Sequence, residues 1–223
     1  MMTENIKNEV QIIENRIKTY LSEDKTIFLS SSFQTHSIPL LHLISRINSE
    51  IPIYFIDTGY HFPETIAFRD KVSDLLSLNT IDLVSSTGMI DQRDHQGRLH
   101  FCSDTEKCCS INKVEPLKEV LIEYDIWISG VRKGQSAIRA LMKSEEKGPH
   151  NTVRYHPLLN WNAKDIWTYR KEYNLPAHPL EEKGYLSIGC APCTQRSDGS
   201  ERMGRWNGQQ KNECGLHTEL ITK

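Results

Sequence analysis

The chain has 223 residues, 38% hydrophobic and 25% charged, enough to bury one sizeable core and read as one globular domain. With 27 Lys and Arg against 29 Asp and Glu, the net charge of −2 excludes a general attraction to nucleic acid or to a lipid surface, so any anion site must be local. The opening "MMTENIKNEVQIIENRIKTYL" carries acids and amides where a secretory segment would be apolar, no run approaches membrane-spanning length, and a cytoplasmic protein is expected.

Ile6, Val10, Ile13 and Ile17 fall at helical spacing and predict an amphipathic first helix. "KTIFLSSSFQTHS" (25–37) then runs from a short apolar strand into a hydroxyl-rich turn, and "SIPLLHLISRI" (37–47) has helical periodicity. The pattern repeats: "IPIYFIDTG" (51–59) reads as a buried strand and "PETIAFRDKVSDLLS" (63–77) as a helix with Pro63 at its start. "NTIDLVSS" (79–86) is a strand, "VEPLKEVLIEY" (114–124) a helix, and "DIWISGVR" (125–132) a strand entering a loop. "NAKDIWTYRKEY" (162–173) is a helix capped by Asn162. The alternation predicts an α/β fold, a mainly parallel sheet with helices on both faces. Ligands of such sheets bind beyond the carboxyl ends of the strands, which directs attention to loops 30–37, 57–62 and 130–139. Residues 1–193 form the expected body. From Thr194 the chain turns polar, with Arg196, Arg202, Arg205 and Lys211, and 194–223 is expected to be a mobile arm.

Neither GxxxxGK[ST] nor GxGxxG occurs. "SSSF" (Ser30, Ser31, Ser32, Phe33), between a strand and a helix, offers hydroxyls and N–H groups to an anion. "IDTG" adds Asp57, Thr58 and Gly59 at the same edge, and "SGVRKGQSAIR" adds Gly130 and Arg132 with Lys133 and Arg139. Together the three loops suit a nucleotide with anionic groups. Cys108–Cys109 and Cys190-x-x-Cys193 supply four thiols, the ligand count of a tetrahedral zinc or of an iron–sulfur cluster, and the spacing leaves both open. Cys102 belongs to neither pair and is expected in core or loop. Lys113, four residues after Cys109, shares its face if the segment is helical. Cys214, in "NECGLH", has little apolar sequence to bury it and is a candidate reactive thiol.

In this order, "SSSFQTHSIPLLHLI", "IDTGYHFPET", "CCSINKVEPL", "WISGVRKGQSAIR", "GYLSIGCAPCT" and "ECGLH" resemble the assimilatory adenylyl-sulfate (APS) / phosphoadenylyl-sulfate (PAPS) reductase family in its iron–sulfur form, over residues 25–217. The resemblance implies an adenine nucleotide alpha-hydrolase-like fold and one [4Fe–4S] cluster per chain on Cys108, Cys109, Cys190 and Cys193. It implies Cys214 as nucleophile, with Lys113, Arg202 and Arg205 neutralising the sulfonucleotide and Arg132 contacting the nucleotide. The implied reaction takes adenylyl sulfate to sulfite and AMP through an S-sulfocysteine, with reduced thioredoxin or glutaredoxin as a separate electron donor, and a homo-oligomer is expected. "IDTGYHFPET" is similar to the branch that takes the 3′-phosphorylated substrate, and Asn112 stands where the family more often has a basic residue. Three alternatives remain: reduction of the 3′-phosphorylated substrate or of both substrates, an ATP-using transferase of the same fold, and a nucleotide-binding module stapled by zinc.

Overall fold

The computed structural model describes residues 2–199, 201–206, 211 and 213–220. Helix α1 (Glu4–Ser22) opens with Thr3 accepting the Ile6 N–H and buries Ile6, Val10, Ile13 and Ile17, the stripe read from the sequence. Strand β1 (Ile27–Ser30) leads through a one-turn 3₁₀ helix (Thr35–Ser37) into α2 (Ile38–Ile47). Next come β2 (Ile53–Asp57), α3 (Pro63–Leu76), β3 (Thr80–Val84) and two short helices, α4 (His100–Ser103) and α5 (Thr105–Cys109). A π-helical turn (Ser110–Val114) joins α5 to α6 (Glu115–Val120). Strand β4 (Ile126–Ser129), α7 (Ala137–Ala140), β5 (Glu145–Lys147), β6 (Val153–Tyr155) and α8 (Ala163–Glu172) complete the regular elements. Asn162 caps α8 as expected, accepting the N–H groups of Lys164 and Asp165.

The six strands lie in the order β3-β2-β1-β4-β6-β5, parallel except for the antiparallel pair β5–β6. Alternation along the strands feeds two cores. Ile27, Leu29, Ile53, Phe55, Ile126 and Ile128 pack with α1, α2, α3 and α8 on one face. Phe28 and Trp127 point the other way, onto Val114, Leu117 and Val120. The chain leaves β1 toward β2 on one side and meets β4 on the other, so strand order reverses between β1 and β4, where such sheets open a crevice.

The structure departs from expectation in three places. The helix expected from residue 114 starts at Thr105 and passes through the π turn, a break that Pro116 imposes because it lacks the N–H an α-helix would donate to residue 112. The β5–β6 pair was not anticipated; its strands, "EEK" and "VRY", carry no apolar run to announce them. The segment expected as a mobile arm is folded onto the body in its described residues: Trp206 is buried and Leu220 sits fully buried in the second core. Ser200, 207–210, Asn212 and 221–223 of that arm lie outside the described residues.

Candidate active site

The crevice at the β1/β4 switch point is a pocket enclosing about 1030 Å³ including its open mouth, of the order of size that takes a nucleotide. Ser30, Ser31 and Ser32 line it at the end of β1, and Ser129, the register partner of Ser30, and Gly130 line it at the end of β4. The serine loop is held from behind: Ser30 Oγ accepts the Trp127 Nε1–H at 2.7 Å, and Ser31 N donates to Tyr54 O at 3.0 Å. Gln34 Oε1 accepts the Ile188 N–H at 2.9 Å, which fixes this loop to the segment carrying Cys190.

Lys113 enters the pocket from the π turn, and Arg202, Arg205 and Cys214 enter it from the tail. Burial works against charge on Lys113, but interaction with the sulfurs of Cys190, Cys109 and Cys214 outweighs it and holds the ammonium above its ordinary value. Lys113, Lys211 and Arg202 all lie within electrostatic reach of the Cys214 sulfur. Arg205 lies over the Trp206 ring at 4.6 Å and donates to Ile188 O at 3.2 Å. Gly189 makes its place, since a Cβ there would fall on the Arg205 guanidinium. Glu213 is buried; burial works against its charge, but hydrogen bonds and charge from Arg139, with Arg202 beside them, hold its carboxyl at about 2. His217 is pushed well below its ordinary value by burial first and then by Arg139 and Arg154, so it is neutral at pH 7. Its Nδ1, 3.2 Å from Arg154 Nη2, accepts, which leaves Nε2 to carry the proton.

The four paired cysteines line a second, smaller pocket with Thr58, Tyr60, Phe101 and Asn112, and Lys113 and Cys190 stand on the wall between the two pockets. Burial pushes the Cys108 thiol up to about 12 and raises Cys109 and Cys193, whereas at Cys190 the Lys113 charge and the Thr58 hydroxyl overcome burial and lower it. Thr58 Oγ1 lies 3.2 Å from Cys190 Sγ, and Asn112 Nδ2 donates to Cys108 Sγ at 3.6 Å. Among the described residues no three His, Cys, Asp or Glu side chains close round one point, as a lone ion at about 2.3 Å from each sulfur demands. The four thiols line one pocket, a donor set of the type that binds zinc or an iron–sulfur cluster.

Several expected nucleotide contacts lie elsewhere. Phe33 is not in the pocket: it is buried with φ +51°, packed edge-on against Phe55 with ring centroids 5.9 Å apart, and it turns the serine loop. Asp57 and Gly59 are also outside it; Asp57 Oδ1 accepts the Gly59 N–H at 2.9 Å and closes a turn that aims Thr58 at the cysteines. Arg132 is buried against Glu201, with Nη2 2.6 Å from both carboxylate oxygens. Cys102, expected in core or loop, is exposed on α4. The sequence reading missed Glu201, Glu213 and His217. The last two flank Cys214 in the quoted "ECGLH", and that adjacency was the available signal.

Residues 26–196 match the family model described as phosphoadenosine phosphosulfate reductase domain. A protein of Chelativorans sp. named adenosine 5′-phosphosulfate reductase is 38% identical over 212 residues, 93% of this chain and 84% of that protein. The phosphoadenylyl-sulfate (PAPS) reductase of Candida auris, solved as a phosphate complex, superposes with a TM-score of 0.68 at 20% identity, covering 86% of this chain and 97% of that one. The FMN adenylyltransferase of Candida glabrata, solved with FMN and an ATP analog, shares the fold at a TM-score of 0.60 and 19% identity, over 93% of this chain and 74% of that one.

Proposed function

The chain belongs to the phosphoadenosine phosphosulfate reductase domain family and is an oxidoreductase, and from that premise we propose that it reduces adenylyl sulfate to sulfite and AMP in sulfate assimilation. The observation that carries this reading is that Cys214 lines the same pocket as the Ser30–Ser32 loop, Lys113, Arg202 and Arg205. The serine loop and Gly130 take the nucleotide, and the three cations meet its phosphate and sulfate. The Cys214 thiolate attacks the sulfate sulfur; the S–O bond to the phosphate breaks, AMP leaves with that electron pair, and an S-sulfocysteine remains. A thiolate of reduced thioredoxin or glutaredoxin then attacks Cys214 Sγ, sulfite departs with the S–S bonding pair, and the donor's second thiol resolves the mixed disulfide. Neutral His217 offers Nε2–H to an anionic oxygen in the same pocket.

Cys108, Cys109, Cys190 and Cys193 would hold one [4Fe–4S] cluster, with Lys113, Thr58 and Asn112 donating to its thiolates. When bound, it would supply a compact anionic centre that orders the Lys113 wall of the substrate pocket. A homo-oligomer in the cytoplasm is part of this reading. Among the described residues no helix is long and apolar enough to cross a membrane. The body spans 1–193 and the tail 194–223 carries the nucleophile.

The test omits the thiol donor. Protein mixed with adenylyl sulfate alone should release AMP in a single-turnover amount, and the peptide containing Cys214 should gain the mass of one SO₃. Added mass on another cysteine, or sulfite production by Cys214→Ser, removes the mechanism.

A further inference from the structure

The tail meets the body near the nucleophile through two carboxylates, each seated on an arginine of the segment that follows β4. Glu201 takes Arg132 Nη2 on both oxygens at 2.6 Å, the Gln135 Nε2–H at 2.9 Å, and lies 2.8 Å from His36 Nδ1. Glu213 takes Arg139 on both oxygens at 2.9 and 2.8 Å, Arg202 at 3.0 Å and the Ser136 hydroxyl at 2.7 Å. Arg132 and Arg139 are nearly inaccessible, as is the Glu213 side chain, so these are not the solvated pairs that contribute little. Gln135 Oε1 accepts from both the Arg132 N–H and the Arg139 guanidinium, which makes the two seats one unit. The Glu213 carboxylate also accepts the Cys214 N–H at 2.9 Å, so the same group that docks the tail orients the residue bearing the thiol.

We propose that Glu201 and Glu213 are positioning residues, a pair of latches that seat the tail on Arg132 and Arg139 and thereby set Cys214 on the pocket wall. This rests on the reading of Cys214 as nucleophile, although the latch itself is visible without substrate. A buried charge pair broken on one side leaves the other charge stranded, so substituting either partner should release the same segment. The two charge pairs add to the apolar anchors Trp206 and Leu220, and because their released groups are readily hydrated they favour reopening at the latches for a bulky thiol donor.

The experiment is amide hydrogen exchange on the full-length, ligand-free protein, followed on peptides covering 213–220, together with single-turnover AMP release from adenylyl sulfate. Glu213→Gln and Arg139→Gln should each speed tail exchange at least tenfold, leave β1 and β4 unchanged, and slow AMP release at least tenfold. Affinity for AMP itself should change less than threefold, which a general loss of structure would not allow. Glu201→Gln and Arg132→Gln should give the same pattern, and the pair Glu213→Gln with Arg139→Gln should be no worse than either alone. Wild-type exchange in all four variants overturns the proposal. Fast exchange in β1 and β4 of Glu213→Gln signals unfolding; Arg139→Lys, which keeps the charge but loses the two-pronged contact, then carries the same comparison, and wild-type tail exchange in it overturns the latch. Release of the tail in the variants, with no AMP formed by the wild type, supports the latch and overturns only the reading of the chemistry.

Discussion

Gly189 is the position where one added methyl tests the site most directly. Its φ lies outside the left-handed region, so alanine brings no backbone strain, and the three heavy atoms nearest the added Cβ all belong to the Arg205 guanidinium. The side chain must leave, giving up its hydrogen bond to Ile188 O at 3.2 Å and its place on the pocket wall. A charge-assisted hydrogen bond to a substrate anion contributes about 1.5–3 kcal/mol. At about 1.4 kcal/mol per factor of ten, Gly189→Ala should lower kcat/KM for adenylyl sulfate by roughly ten- to a hundredfold. The thermal midpoint should change little, because the displaced group is the far end of a flexible side chain that can swing aside. Arg205→Ala should match this loss, and the double variant should be no worse than Arg205→Ala, since both act through one guanidinium. Wild-type kinetics in Gly189→Ala, or an additive double variant, would refute the assignment of Arg205 to the substrate.

Cys190→Ser should purify with less iron and sulfide than the wild type and without brown absorbance; full iron and sulfide content refutes the cluster site. Asn112→Ala removes the donor to Cys108 and strands the buried Gln92 amide that it pairs with at 2.9 and 2.6 Å, so the protein should lose about 1–3 kcal/mol of stability in urea titration. Adenylyl sulfate should exceed its 3′-phosphorylated analogue in kcat/KM, and a tenfold preference for the phosphorylated substrate, about 1.4 kcal/mol, reverses that expectation. Acid should destabilise the protein through histidine first. Burial holds His156 at about 3 and His178 at about 4, so the unfolded chain takes up protons below about 6.5 that the folded chain refuses, and each group costs up to about 1.4 kcal/mol per pH unit from there down to its folded value. Glu201 and Glu213, held at about 2, keep their contribution above about 4.5 and lose it only as pH falls further. A midpoint that is flat between pH 6.5 and 5 contradicts the histidine burial.

Much of the fold was legible because strands and helices alternate and their apolar residues keep period: Phe28 and Trp127 on one face and Leu29 and Ile128 on the other follow from a spacing of two. The pocket was legible through the serine loop, and Lys113, Arg202, Arg205 and Cys214 do converge on it. The polar tail was expected as a mobile arm, and its described residues lie folded on the body. Part of its cohesion, beside the buried Trp206 and Leu220, lies in Glu201 and Glu213 meeting arginines 69 and 74 residues away, a pairing that no local pattern records. Asp57 and Gly59 lie at the expected sheet edge but off the pocket, because the turn they close places Thr58 against Cys190, an arrangement no local pattern records.

The sheet does not decide the reaction, since an FMN adenylyltransferase shares it. An ATP-using transferase of this fold would leave Cys214 without a task, so the distinction must come from what the tail and the cysteine segment add to the common pocket. Those two additions are mechanically joined. Residues 188–193 receive Gln34 of the serine loop at Ile188 N, tie to Tyr60 O through Ala191 N at 2.7 Å, and hold the tail through Ile188 O to Arg205 and Cys193 O to Trp206 N at 3.0 Å. Anything that fixes Cys190 and Cys193 therefore fixes the notch at Gly189 and the arginine it admits. A ligand on the four thiols would thus shape the anion site from behind without exchanging an electron with the substrate, and the two electrons that reduce the sulfur would come entirely from the thiol donor at Cys214.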